Sequence, residues 1–192
     1  MFYRHGGGPQ FDMARLGLVE GPVTDFSVSL NPLGPPQVIR QRWPDLFDAV
    51  ENYPSINGSG VIRYYEEKFG ILPENIVPGN GSTELIYLIP RALGLKRVAI
   101  LTPSYHDYER ASILAGANIF KHPLSPVDNF SMPSLDELIR LLDKADSLWM
   151  GRPNNPTGAI FTKESLLELS ARFPGKWFIV DEAFIQFLEN LQ

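Results

Sequence analysis

From Val61 onward the chain repeats one pattern: a short apolar run, a turn, then an amphipathic segment. Residues 61–69 are spaced as a helix, and Leu72-Pro73-Glu74 opens a turn. Residues 84–93 are also helical in pattern, with Pro90 expected to kink or break the helix because proline removes a backbone donor. Residues 98–101 form a compact apolar strand, 105–115 a helix, and 117–121 a second strand. Ser134, three residues before Glu137, is placed as the N-cap of a helix running through Leu142. Residues 147–150 read as a strand. Thr162, with Ser165 and Leu166, opens a helix that ends near Phe173-Pro174-Gly175, and residues 177–180 are again apolar throughout. Strands apolar on both faces and separated by helices imply a mostly parallel sheet covered on both sides. The expected architecture is a three-layer α/β/α domain.

The first sixty residues differ in texture. Turn signals recur at Gly6-Gly7-Gly8, Asn31-Pro32, Pro35-Pro36, Tyr53-Pro54 and Asn57-Gly58, so residues 1–60 read as an irregular arm with short elements and 61–192 as the α/β unit. Residues 181–188 lead away from the last strand and the sequence closes four residues later, without the terminal helix expected of a self-contained α/β domain. The expectation is a chain cut short.

Composition narrows the function. Hydrophobic residues at 44% and charged residues at 20% are ordinary for a soluble globular protein. A net charge of -5 with scattered lysines and arginines argues against a nucleic-acid surface. The absence of cysteine excludes disulfides, thiolate metal sites and cysteine nucleophiles, and fits a reducing compartment. His5, His106 and His122 share no metal-like spacing. No apolar run has signal-peptide or membrane-spanning length, so a cytoplasmic protein with no membrane partner is expected.

In parallel α/β sheets ligands bind at the carboxyl ends of the strands. Four sequence features fall at such ends. Pro78-Gly79-Asn80-Gly81-Ser82-Thr83-Glu84 precedes a helix, where free amides and the helix dipole suit a phosphate dianion; an ordinary capped turn is the plainer reading. Thr102-Pro103-Ser104-Tyr105 sets an aromatic ring at a strand end, either to stack on a flat heterocycle or to fill the core. In Pro153-Asn154-Asn155-Pro156-Thr157-Gly158 an asparagine amide could donate to a phenolate oxygen, and Asn-Pro admits a cis peptide. Asp181-Glu182-Ala183-Phe184 places a carboxylate at the end of an apolar strand, either as a cap or as the partner of a cation such as a protonated pyridine nitrogen. A phosphate cradle, a stacking ring, a donor to a ring oxygen and a carboxylate for a ring nitrogen are together what pyridoxal 5′-phosphate (PLP) needs.

These motifs, in this order over residues 26–187, resemble the fold-type I PLP enzymes, the class I/II aminotransferases. NNPTG, followed by an apolar strand ending in Asp-Glu-Ala, is the most specific part. Within that family the chain looks most like the branch holding histidinol-phosphate aminotransferase and threonine-phosphate decarboxylase. His5-Gly6-Gly7, Asp25-Phe26-Ser27 and Asn31-Pro32-Leu33-Gly34 look like its decarboxylase side. The resemblance implies that 1–60 is an arm plus part of a small domain and that 61–192 is part of the PLP-binding large domain. It assigns Gly81, Ser82 and Thr83 to the cofactor phosphate, Tyr105 to stacking, Asn155 to the ring oxygen, Asp181 to the ring nitrogen, and the arm residues His5 and Asn31 to the substrate. The resemblance further implies that the substrate is an amino acid or amine, with or without a phosphate, and that the full-length enzyme is a homodimer.

The sequence departs from the family in three places. Phe184 stands where aminotransferases of the branch have a tyrosine that gives a second bond to the ring oxygen; the decarboxylase-like members also carry Phe there. No aromatic residue follows Tyr53-Pro54 in residues 55–60 to reach a partner subunit's phosphate. The lysine that holds the cofactor covalently, and the arginine for the substrate carboxylate, would fall beyond Gln192. Lys176 starts the strand that ends at Asp181, about 15 Å away at about 3.3 Å per residue, and Lys163 is expected to face solvent. Weak, non-covalent PLP binding without normal turnover is the expectation for these 192 residues, with exposed apolar surface and self-association. Two other classes stay open: a nucleotide-binding module, which lacks G-x-G-x-x-G and a Walker lysine, and a non-catalytic interaction domain that keeps the fold.

Overall fold

Val98, Ala99, Ile100 and Leu101 are almost wholly inaccessible to solvent. Four consecutive buried apolar residues suit a strand flanked on both edges and covered on both faces, and β1 (Arg97–Thr102) occupies that place. The computed structural model describes residues 6–19 and 21–188. It divides into two compact units, Met1–Pro73 and Glu74–Gln192.

The second unit carries a four-stranded sheet in the order β2-β1-β3-β4, with β2 at Asn118–Pro123, β3 at Ser147–Gly151 and β4 at Trp177–Asp181. Every pairing is parallel: Val98 lies beside Ile119 and Ser147, and Gly151 beside Asp181. Alternate residues then face opposite sides. Ala99, Leu101, Leu148 and Met150 pack with Leu138, Leu141, Leu142 and Leu169 from two helices at Leu135–Leu142 and Lys163–Arg172. Val98, Ile100 and Trp149 pack with Ile86, Tyr108 and Ala111 from two helices at Ser82–Ala92 and His106–Leu114. Helices cover both faces, giving the three-layer α/β/α arrangement that the sequence predicts.

The helix boundaries follow local chemistry. Ser134 accepts from the Glu137 amide while the Glu137 carboxylate accepts from the Ser134 amide, closing a capping box. Thr162 accepts from the Ser165 amide and starts the next helix. Pro90 does not end its helix. It lies in the last turn, where one donor is lost, and its ring is fully buried, so packing offsets the missing bond. β4 is only half-buried despite its apolar sequence, because among the described residues it pairs on one edge only.

Residues of the first unit form short helices, α1 (Pro9–Arg15), α2 (Gln37–Gln41), α3 (Trp43–Phe47) and α4 (Ser59–Phe69), joined by turns. The second-unit helices Ser82–Ala92, His106–Leu114, Leu135–Leu142 and Lys163–Arg172 are α5 to α8 in chain order. In the arm, the Gly7 amide donates to Ser27 Oγ at 2.9 Å, and Ser27 donates in turn to Asp25 through its amide and its hydroxyl. Those Ser27 bonds hold the Asp25 carboxyl below its ordinary range. Among the described residues no helix is long and apolar enough to cross a membrane.

Candidate active site at the carboxyl ends of the strands

The chain passes from β1 outward to β2, then returns to β3 on the other side of β1. At such a reversal the loops after neighbouring strands diverge, and a crevice opens at their carboxyl ends. The loops after β1 and β3 flank that point here, and β4 ends beside them.

Asn154 ties the two loops together. It is buried, and its Nδ2 donates to the Pro103 carbonyl at 2.9 Å and to Thr157 Oγ1 at 2.8 Å. The turn folds back tightly on β3, so that a Cβ at Gly151 would meet Asn154 Cα at 3.1 Å. The Thr102-Pro103, Arg152-Pro153 and Asn155-Pro156 peptides are all cis. Asn155, the next residue, is half-buried, and its side chain has no hydrogen-bond partner among the described residues. Of the two asparagines, one is occupied by the fold and the other is left with its amide to offer.

β4 delivers Asp181. Its Oδ1 accepts from the Ala183 amide at 3.0 Å, closing a short turn, and its Oδ2 accepts from the Tyr108 hydroxyl at 2.8 Å. Tyr108 is buried and stacks on Trp149 with ring centroids 5.2 Å apart. Burial, then the Asp181 charge and hydrogen bond, push the Tyr108 phenol far above the ordinary tyrosine range. The shared proton therefore stays on the phenol.

Tyr105 sits at the entrance to α6, its ring edge-on to Tyr108 at 5.7 Å. Its phenol interacts with the Asp107 carboxylate and the Thr83 side chain. Burial first, then Asp107, raises its pKa to about 12, with Thr83 partly opposing. Asp107 is itself buried and also accepts from Tyr87 at 2.9 Å. The contact with Thr83 brings the start of α5 to the same place. Gly81 precedes that helix with φ +83, a conformation glycine adopts without strain. No side chain caps α5. The Glu84 carboxylate instead reaches back to the Asn80 amide at 2.5 Å. The first amides of an uncapped helix of this length suit an anion.

Of the predicted site residues, the structure thus gathers Ser82, Thr83, Tyr105, Asn155 and Asp181, with Gly81, at one end of the sheet. His5 lies outside the described residues. Asn31 belongs to the first unit, where its side chain accepts from the Leu33 amide at 3.0 Å and donates to the Gly34 carbonyl at 3.2 Å, holding a turn. It borders a hollow of about 750 Å³ shared with Pro35, Gln37 and Arg40. Within the second unit no described lysine reaches the site. Lys176 bonds to the Leu142 and Ala145 carbonyls at the opposite end of the sheet, Lys121 pairs with Glu109 at 2.7 Å, and Lys163 is exposed.

Sequence reasoning missed Tyr108, Trp149 and the buried Arg152, whose guanidinium bonds to Glu182 at 2.5 Å and to the Phe161 carbonyl at 2.9 Å. Tyr108 had a signal: it stands three residues after Tyr105, on the same helical face. Arg152 and Glu182 each follow a strand end directly, which is where a pair could bridge adjacent loops.

The profile of the family "Aminotransferase class I and II" matches residues 21–192. The chain belongs to that family. It is 31% identical over 190 residues to the adenosylcobalamin biosynthesis bifunctional protein CobDQ of Leptospira interrogans, covering 97% of this chain and 22% of that protein. Threonine-phosphate decarboxylase of Salmonella typhimurium is 30% identical over 189 residues, covering 97% of this chain and 51% of the decarboxylase. Among solved structures, histidinol-phosphate aminotransferase from Clostridium acetobutylicum superposes with a TM-score of 0.73 at 29% identity, over 84% of this chain and 47% of that one. The chain thus spans about half, or less, of the length of these relatives. The family is PLP-dependent, and the site fits that cofactor: an uncapped helix start for its phosphate, an Asn155 amide without a partner among the described residues, and a half-buried Asp181 carboxylate held by Tyr108.

Proposed function

We propose that this chain is the cofactor-holding portion of a PLP enzyme that acts on an amino acid or amine bearing a phosphate, as histidinol-phosphate aminotransferase and threonine-phosphate decarboxylase do by their names. The observation that carries the reading is the meeting of Thr83, Tyr105, Asn155 and Asp181 at one switch point of a parallel sheet, with Tyr105 interacting with Thr83 and set edge-on to the tyrosine that holds Asp181.

In this reading each side chain has one task. The Ser82 and Thr83 amides, at the positive end of α5, would bind the phosphate. Tyr105 would cover one face of the ring and exclude water from it. Asn155 would donate its amide to the ring oxygen. Asp181 would accept from the ring nitrogen and keep its proton in place. When bound, PLP supplies an electron sink for charge developing on the substrate's α-carbon. Phe184, where transaminating members of the branch carry tyrosine, favours loss of carboxylate over transfer of the amino group. The full-length enzyme would be a cytoplasmic homodimer, with His5 and Asn31 as substrate-binding residues.

PLP titration of the wild type beside Asp181→Ala tests the reading. Saturable binding that the substitution weakens at least about tenfold is expected, since a hydrogen bond to a charged group is worth roughly 1.5–3 kcal/mol. Equal binding by both proteins would leave the fold in service of an interaction domain instead.

A further inference from the structure

We propose that Tyr108 is a positioning residue for Asp181, holding the carboxylate in one orientation for the ring nitrogen of the cofactor. The inference rests on the cofactor reading above and adds to it a residue outside the family-derived set.

Three observations carry it. First, the bond is direct and long-range in sequence: the Tyr108 hydroxyl donates to Asp181 Oδ2 at 2.8 Å across 73 residues, joining α6 to the end of β4. Second, Tyr108 cannot easily let go. Its ring is 2% exposed and stacks nearly parallel, at 12°, on the fully buried Trp149 of the central strand β3. Third, the other carboxylate oxygen is already fixed by the Ala183 amide. A carboxylate with one donor can swing about its Cβ–Cγ bond, whereas one with a donor on each oxygen cannot without losing a bond. Tyr105 meets the Tyr108 ring edge-on, so the same residue also braces the expected stacking ring.

The decisive variant is Tyr108→Phe, which removes the hydroxyl and keeps the ring on Trp149. It is compared with Asp181→Asn and with the double variant. PLP binding is read by cofactor absorbance and tryptophan quenching, and the absorbance of bound PLP is followed against pH. Tyr108→Phe should weaken binding roughly tenfold, as expected for losing a hydrogen bond to a charged group. The double variant should bind no more weakly than Asp181→Asn alone, because both changes break one unit. With the carboxylate no longer held, the bound ring nitrogen should lose its proton about one pH unit lower, the equivalent of that tenfold change. A role in packing alone would leave that midpoint in place. If Tyr108→Phe binds as the wild type while Asp181→Asn is impaired, or if the two losses add, or if the midpoint stays or rises, Tyr108 does not position Asp181. If Asp181→Asn itself binds as the wild type, the cofactor reading falls and this inference falls with it.

Discussion

At the scale of single residues, adjacent Asn154 and Asn155 show how the fold separates structure from chemistry. Asn154 is buried, and its Nδ2 makes both of its bonds inside the protein, so Asn154→Ala strands the Pro103 carbonyl and loosens the turn. A loss of about 2 kcal/mol in stability is expected, measured by denaturant unfolding. Asn155→Ala should leave that unfolding curve in place and weaken PLP binding. Tyr105 gives a pH signature. Its phenol ionises near pH 12 when folded, against an ordinary 10.0. The neutral form is favoured by the folded state, so its stabilisation is complete below pH 10 and is lost as pH rises towards 12. Alkaline denaturation should therefore steepen across that window, and Tyr105→Phe should flatten it. Asp181 was legible as a strand-end carboxylate wanting a partner, but its actual partner here, Tyr108, was not. A hydrogen bond across 73 residues leaves no local spacing to read.

At the scale of elements, most of the second unit was legible because its signals are local. The Ser134–Glu137 box, the Thr162 cap and the apolar runs of β1, β3 and β4 each specify their element without knowledge of the rest. Thr162→Ala should destabilise the unit by about 1 kcal/mol through loss of the Ser165 amide's acceptor, read as a shift in the unfolding midpoint with unchanged slope. The break that Pro90 could force does not occur, because its cost is local and its compensation is tertiary: the ring is buried against the core, and no pattern within α5 announces that. Tyr105 reads as the first residue of a helix but acts as its N-cap, a shift of one position that leaves its ring at the strand end. The contact of α5 with Tyr105 through Thr83 also depends on packing, and only the motif order of the family hinted at it.

At the scale of the molecule, one end of the sheet holds the candidate chemistry while the described lysines of the same unit lie elsewhere. Lys176, just before β4, is committed to the Leu142 and Ala145 carbonyls at the far end. PLP held by these 192 residues should therefore be released by dialysis, and borohydride reduction should not fix it to Lys176, as peptide mapping would report. β4 leaves an apolar strand half exposed, and Phe26, Leu33 and Val127 are over nine-tenths exposed. Concentration-dependent association in sedimentation is expected from such surface. The central claim is that Asn155 and Asp181 converge on one cofactor, and a PLP titration of the wild type beside Asn155→Ala and Asp181→Ala tests it most directly. Saturable binding weakened by both substitutions, with folding intact, is the predicted result. Absent binding, or binding indifferent to both changes, would contradict the account.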